Sequence, residues 1–257
     1  MTPLSVYVLT FNSERHLTRV LEAVARIADD LLVVDSGSTD ATYEIAYKYG
    51  ARVVHRSFDN FRSQRLFAHS LCLHETIMFF DSDEIASESL IDEVMSLKKS
   101  GFTYDAYVVR RDWIVMGKVV HALFPVGCPD WPVRIIHRDR VDFTVHSVHE
   151  SLIGYKSIGR IESSLVHHTF ETKTELMRKL DLYTDLAAED LKNTGRRKRA
   201  LKIRQYISPI GAFVKWYFRS GNWLDGRVGW ILAIYAMKYT HHKYRKLLLL
   251  IQRLDPE

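Results

Sequence analysis

The first eighty residues alternate between two hydrophobic periods. Short apolar runs stand one after another: LSVYVL at 4–9, LLVV at 31–34, ARVVH at 51–55 and TIMFF at 76–80. Between them lie segments with apolar residues at helical spacing, the first carrying Leu17, Val20, Leu21, Val24 and Ile27. Parallel strands need a crossover, usually a helix, so strand–helix alternation with short connections predicts a parallel sheet in an α/β layer structure. Consecutive apolar positions, as in LLVV and IMFF, fit strands buried on both faces. The spacing predicts further helices over about 41–49, ended by Gly50, and through FRSQRLFAHSLCL. Asn12 or Ser13 is the expected cap of the first helix, with Glu14 in its favourable first turn.

In open α/β sheets ligands bind beyond the C-terminal ends of the strands. The polar clusters fall there: TFNSE after the first strand, DSGSTD after the second and DSDE after the fourth. The last packs Asp81, Asp83 and Glu84 around one serine. Carboxylates this close raise one another's pKa unless something positive sits among them. Ile85 and Ala86 break the pattern of an EF-hand loop. An aspartyl-nucleophile phosphatase would place its DxD after the first strand. TFNSE holds no glycine, which excludes a dinucleotide fingerprint. What remains is a divalent cation held by a few carboxylate oxygens, its shell completed by a diphosphate; Mg²⁺ or Mn²⁺ suits such hard donors.

Beyond Gly101 the pattern changes. YDAYVVRRDWIVMGKVV predicts antiparallel strands about a Met116-Gly117 turn, and VRIIHRDRVDF continues in that style. From Lys173 the chain becomes helical and basic. A length of 257 residues suits one substantial core, or one domain plus an appendage. The net charge of +5 hides an asymmetry: fifteen Lys/Arg against three acids from Lys192 onward, but 21 against 28 before it. Cys72 and Cys128 have no CxxC spacing, which points to a reducing compartment. The N-terminus has no secretory pattern, and the apolar run from Trp230 to Met237 is too short to span a bilayer, so a cytoplasmic protein is expected.

The series LSVYVLTFNSE, VVDSGSTDAT, the Gln64-containing helix and FFDSDE, over about residues 4 to 95, resembles family 2 glycosyltransferases of the GT-A fold. Further motifs, DWPVRIIHR, FTVHSVHES, LVHHTF and SGNWLDGRVGW, resemble the subgroup that adds β-1,4-linked glucose to the inner core of lipopolysaccharide. The resemblance implies a GT-A domain over 1–170 and a basic, aromatic helical region over 171–257 that faces membrane and acceptor. It implies inverting, metal-dependent transfer of a hexose from a UDP-sugar to a lipid-linked saccharide. A polyprenyl-phosphate acceptor and a non-catalytic membrane-docking protein are the alternatives; an intact DSDE and Glu150 argue against the second.

Residue by residue, Thr10, Asn12 and Glu14 match the loop lining the nucleotide pocket, and Asp35 matches the acid that recognises base or ribose. The family often has a second Asp after it, where Ser36 stands here. Gln64 and Arg65 match a helix that reaches the donor. Asp83 matches the direct metal ligand, and Asp81 a contact to ribose or metal. Glu150 matches the base that takes the acceptor proton.

His149 is a candidate additional metal ligand or an orienting partner of Glu150. HExxH fails because Ile153 stands where the second His belongs, so His146, His167 and His168 read as hydrogen-bonded core or rim residues. Arg134 either holds a phosphate or is a strand arginine paired with an acid. In the tail, cations interleave with Trp216, Tyr217, Phe218, Trp223 and Trp230. That mixture suits an anionic headgroup layer, making the membrane surface an expected partner and the protein peripheral on the inner face of the cytoplasmic membrane. The competing reading is a helical subdomain with a solvated basic face. RRKRALKIR lacks any nucleic-acid reader motif, so no nucleic acid is expected.

Overall fold

In the computed structural model, which describes residues 1–143, 152–192 and 198–254, the apolar runs form strands and the periodic segments form helices. In chain order these are β1 (Leu4–Thr10), α1 (Glu14–Val24), β2 (Asp30–Asp35), α2 (Thr42–Lys48), β3 (Arg52–His55) and α3 (Phe61–Leu71). There follow β4 (Thr76–Asp81), β5 (Glu84–Ala86), α4 (Glu88–Ser100), β6 (Ala106–Val115), β7 (Lys118–Val119), β8 (Ala122–Leu123) and β9 (Val126–Gly127). Next come β10 (Val133–His137), β11 (Asp142–Phe143), β12 (Leu152–Ile153) and β13 (Ile158–Phe170). The helices α5 (Lys173–Lys192), α6 (Lys198–Val214) and α7 (Gly226–Leu254) follow. The result is an α/β fold with helices flanking the sheet and a helical C-terminal region. It divides into two compact units, Met1–Arg111 with Trp131–His167 and Asp112–Asp130 with His168–Glu257.

In the first unit the strand order is β3-β2-β1-β4-β10-β6-β13-β5. The stretch β3-β2-β1-β4 is parallel, and β10 enters antiparallel between β4 and β6. Strand side chains alternate between faces, so neighbouring residues serve different cores. Val6, Val8, Met78 and Phe80 pack with Leu17, Val20 and Leu21 of α1 and Leu90 and Val94 of α4. Tyr7, Ile77 and Phe79 point the other way, against Ala68 of α3 and Cys72. The two phenylalanines of FFDSDE therefore anchor opposite layers.

The start of α1 differs from the expected cap. Neither Asn12 nor Ser13 caps it through a side chain. Ser13 Oγ instead donates to Ser82 Oγ at 2.7 Å and accepts from the Phe11 amide, while Asn12 adopts a left-handed φ of 49° and accepts from the Thr39 amide. These side chains are taken by neighbouring loops, which outcompete the helix end. Glu14 does stand in the first turn.

In the second unit β7 pairs antiparallel with the end of β6 across Met116 and Gly117, both at positive φ, as a two-residue hairpin turn requires. Trp113, Val115, Leu176, Leu180, Leu232 and Tyr235 form its core, and Ala188, Leu201, Tyr244 and Leu247 form a smaller cluster. A 3-10 turn at Asn222–Asp225 precedes α7, and Asp225 accepts from His121 N at 2.9 Å with His121 Nδ1 at 2.8 Å from its other oxygen. Among the described residues no helix is long and apolar enough to cross a membrane.

Gly229 lets α7 pass this turn: a Cβ there would lie 1.7 Å from the Asn222 carbonyl oxygen. Backbone cannot yield as a flexible side chain can, so Gly229→Ala should lower stability by about 1–3 kcal/mol, the usual range for overpacking. Gly211, a helix position where a Cβ meets nothing within 4 Å, provides the contrast. Gly211→Ala should raise stability by roughly 0.5–1 kcal/mol, both changes being read by urea unfolding.

Candidate active site

Three loops meet at the C-terminal edge of the parallel strands. Thr10 and Asp35 are register partners at the ends of β1 and β2, and Thr10 Oγ1 donates to Asp35 Oδ1 at 2.8 Å. Gly37 N and Ser38 N donate to Asp35 Oδ2 at 2.8 and 2.7 Å, and Ser38 Oγ donates to Oδ1. Burial alone would raise this carboxyl, but the hydrogen bonds from Ser38, Thr10 and Gly37 outweigh it and hold the pKa below the ordinary value. Asp35 is buried and shapes the DSGSTD loop. That loop is stitched to the first: Asn12 N donates to Ser38 Oγ at 2.8 Å and Ala41 N to Glu14 Oε2 at 3.2 Å.

Ser36 and Gln64 are also brought together. Gln64, buried on α3, donates through Nε2 to Ser36 Oγ at 3.0 Å and to the Arg56 carbonyl at 2.9 Å. Its Oε1 is buried and meets no donor among the described residues. The next residue, Arg65, points toward the acids and donates from Nη2 to Asp81 Oδ1 at 3.1 Å.

The DSDE cluster resolves into three different carboxylates. Asp81 lies between Arg65 and Arg134, whose Nη2 is 3.4 Å from Oδ2. Asp83 Oδ1 is 3.2 Å from His167 Nε2. Burial disfavours a charged His167, yet the hydrogen bond and charge of Asp83, with Glu84 adding, raise its pKa. Glu84 is fully buried and receives Arg134 through both oxygens, Nε at 2.8 Å and Nη2 at 2.5 Å, with Arg111 Nη1 at 2.7 Å. Burial would push this carboxyl up, but the charge and hydrogen bonds of Arg134, with His167 and Arg111, hold it well below the usual range.

Phe79 organises the cations. Tyr7 stacks on its ring at 5.4 Å, and the guanidinium carbons of Arg65 and Arg134 lie 5.0 and 5.3 Å from its centroid. Arg134, only 5% exposed, is thus a strand arginine paired with acids. Glu84, Arg111 and His167 are the members that sequence reading did not assign to the site. The excess of acid in DSDE signalled a buried positive partner, but nothing local identified residues from β6, β10 and β13. Glu150, His146 and His149 lie outside the described residues.

Asp81 and Asp83 keep 30% and 36% of their side chains exposed. As two hard-oxygen donors two residues apart, they fit a Mg²⁺ or Mn²⁺ ion that takes its remaining ligands from phosphate oxygens and water. Glu84, fully buried and held at 2.8 Å or closer by two arginines, is not available for that role.

Residues 5–120 match the model of Glycosyl transferase family 2. This part of the chain is similar to family 2 glycosyltransferase domains, and the protein is a glycosyltransferase. It is 29% identical over 247 residues to an uncharacterized glycosyltransferase of Rickettsia typhi, covering 91% of this chain and 82% of the relative. It is 26% identical over 253 residues to the lipopolysaccharide core biosynthesis glycosyltransferase LpsC of Rhizobium meliloti, covering 93% and 89%. The fold is similar to that of S. aureus TarS 1–349 in complex with UDP-GlcNAc, with a TM-score of 0.51 and 16% identity over 98% of this chain and 91% of that one.

Glu84→Gln removes the countercharge of a buried arginine pair and should cost about 3–5 kcal/mol at neutral pH. The depressed carboxyl pKa means that this contribution is present above the unfolded value near 4.5 and is lost as pH falls through the folded one. The gap in unfolding free energy between wild type and variant should therefore narrow below that value; a pH-independent gap would show that the charge is not responsible.

Proposed function

We propose that the protein moves a hexose, glucose in this reading, from a UDP-sugar to a lipid-linked saccharide, the inner core of lipopolysaccharide, with inversion and with Mg²⁺ or Mn²⁺. The observation that carries this reading is the convergence of TFNSE, DSGSTD and DSDE on one sheet edge, with the Asp81 and Asp83 carboxylates partly exposed among arginines. The relationship to LpsC supports the acceptor class, and the resemblance to TarS, whose structure holds UDP-GlcNAc, supports the donor class. We assign transfer to residues 1–170 and contact with acceptor and membrane to 171–257. The membrane would be the anionic inner face of the cytoplasmic membrane.

In this mechanism Asp83 and Asp81 would hold the cation, which when bound would supply positive charge against the diphosphate as it leaves. The loop of Thr10, Asn12 and Glu14 and the Asp35–Ser36 turn line the nucleotide pocket, with Gln64 and Arg65 reaching the donor from α3. Arg65 and Arg134 keep positive charge at the carboxylates where the diphosphate leaves. Glu150 takes the proton from the acceptor hydroxyl as its oxygen bonds to the sugar carbon and the bond to the diphosphate breaks. His149 would supply a further metal ligand or orient Glu150.

Asp83→Ala should abolish both transfer and the Mn²⁺-dependent thermal stabilisation by UDP. Glu150→Gln should lower kcat by about 10²–10⁴, the range for a lost general base, while leaving that stabilisation intact. Equal loss of UDP binding in the two variants would remove the base assignment. A screen of UDP- and GDP-sugars for Mn²⁺-dependent hydrolysis decides the donor, and turnover undiminished by EDTA would exclude the metal.

A further inference from the structure

Helix α6 carries an apolar stripe on its outer side. Ile203, Tyr206, Ile207, Ile210 and Val214 are each between 51% and 67% exposed. At 3.6 residues per turn these five positions fall within an arc of about 100°. The stripe continues through the π-helical turn Lys215–Arg219 to Phe218, which lines one groove with Val214, and Trp223 and Leu224 further along the chain are likewise more than half exposed. Trp230, half exposed on α7, packs its ring against Phe213 and Tyr217 at 5.2 and 5.5 Å. A contiguous apolar surface of this kind marks a binding face rather than scattered exposure.

The borders of the stripe are cationic. On the helical wheel Lys202 and Arg204 sit about 100° to either side of Ile203. Lys215 and Arg219 bracket Phe218, and a groove lined by Gly211, Val214 and Phe218 has these two cations beside it. No carboxylate occurs anywhere in residues 192–224. That absence discriminates among occupants. A second copy docking through the same face would set cations against cations with no acid of this segment to pair them. Nucleic acid would match the cations but leave the isoleucines in water. An anionic bilayer satisfies both: acyl chains for the stripe, lipid phosphates for the borders, and an interfacial position for the tryptophan rings.

We propose that α6 and the turn that follows are the surface on which the protein lies on an anionic bilayer. The stripe from Ile203 to Phe218 enters the acyl boundary, and Lys202, Arg204, Lys215 and Arg219 meet the headgroup phosphates. This deepens the lipid-linked acceptor reading by naming the docking face and its apolar component.

The test is flotation of the full chain with phosphatidylglycerol–phosphatidylcholine vesicles, without any sugar nucleotide, so that failure of the transfer reading leaves the result standing. Wild type should bind these vesicles and bind phosphatidylcholine alone far more weakly. Ile207→Ser with Ile210→Ser should reduce binding by at least about tenfold per isoleucine, given the transfer free energy of such side chains. Lys215→Gln with Arg219→Gln should reduce binding by about fivefold per cation on phosphatidylglycerol vesicles only. Brominated phosphatidylglycerol should quench tryptophan emission of the unmodified protein, and Trp223→Phe with Trp230→Phe should remove most of that quenching. Vesicle binding unchanged by the isoleucine pair would overturn apolar docking. So would a wild-type dimer that the isoleucine pair converts to monomer while vesicles capture neither form.

Discussion

The first unit is arranged around a carboxylate with no exposure to water. Glu84 sits on a three-residue strand, receives Arg134 from β10 and Arg111 from β6, and accepts the Asp81 amide at 3.2 Å. Strands distant in sequence thus meet on one pair of oxygens. Buried ion pairs add little net stability compared with apolar packing of the same volume, because desolvation offsets the attraction. Their retention here is better understood through position. With Glu84 saturating one side of Arg134, that guanidinium is fixed where its Nη2 also approaches Asp81. Asp81, partly exposed, is thereby set by a buried interaction beneath it.

The remaining acids show how one short motif supports different tasks through environment. Asp83 faces a histidine, Asp81 two arginines, and Glu84 a dry pocket. Asp35, a fourth acid at the same edge, is consumed in holding its own loop. The second unit follows another logic. Its helices bury one set of apolar residues among themselves and turn a second set outward along α6, with cations at the margins.

What was legible in the sequence was local. The periods of LSVYVL, LLVV and TIMFF and of the segments between them are direct imprints of strand and helix geometry, and β1 through β4 appear where those periods place them. The sheet edge carrying TFNSE, DSGSTD and DSDE followed from the same alternation. The failures were competitions settled by tertiary partners. Ser13 has the chemistry of a cap, yet Ser82, 69 positions away, takes its hydroxyl. That Arg134 pairs with Glu84, 50 positions earlier, likewise had no local signal, whether or not it also meets a phosphate. Nothing in YVVRRDW distinguished Arg111 from Arg110, because that difference is the side of the sheet presented to a strand 27 residues earlier. Nor did composition announce that residues 112–130 belong with the C-terminal helices.

Phe79 shows what hydropathy alone conceals. Its ring carries Tyr7 in a stack and lies within 5.3 Å of the guanidinium carbons of both Arg65 and Arg134. An aliphatic residue there would leave the strand's burial pattern almost unchanged, yet it would withdraw the π face on which the two cations rest. Among descendants of this fold, a leucine at that position would therefore be a quiet marker of altered chemistry: the strand would persist, and the spacing of charge above it would drift.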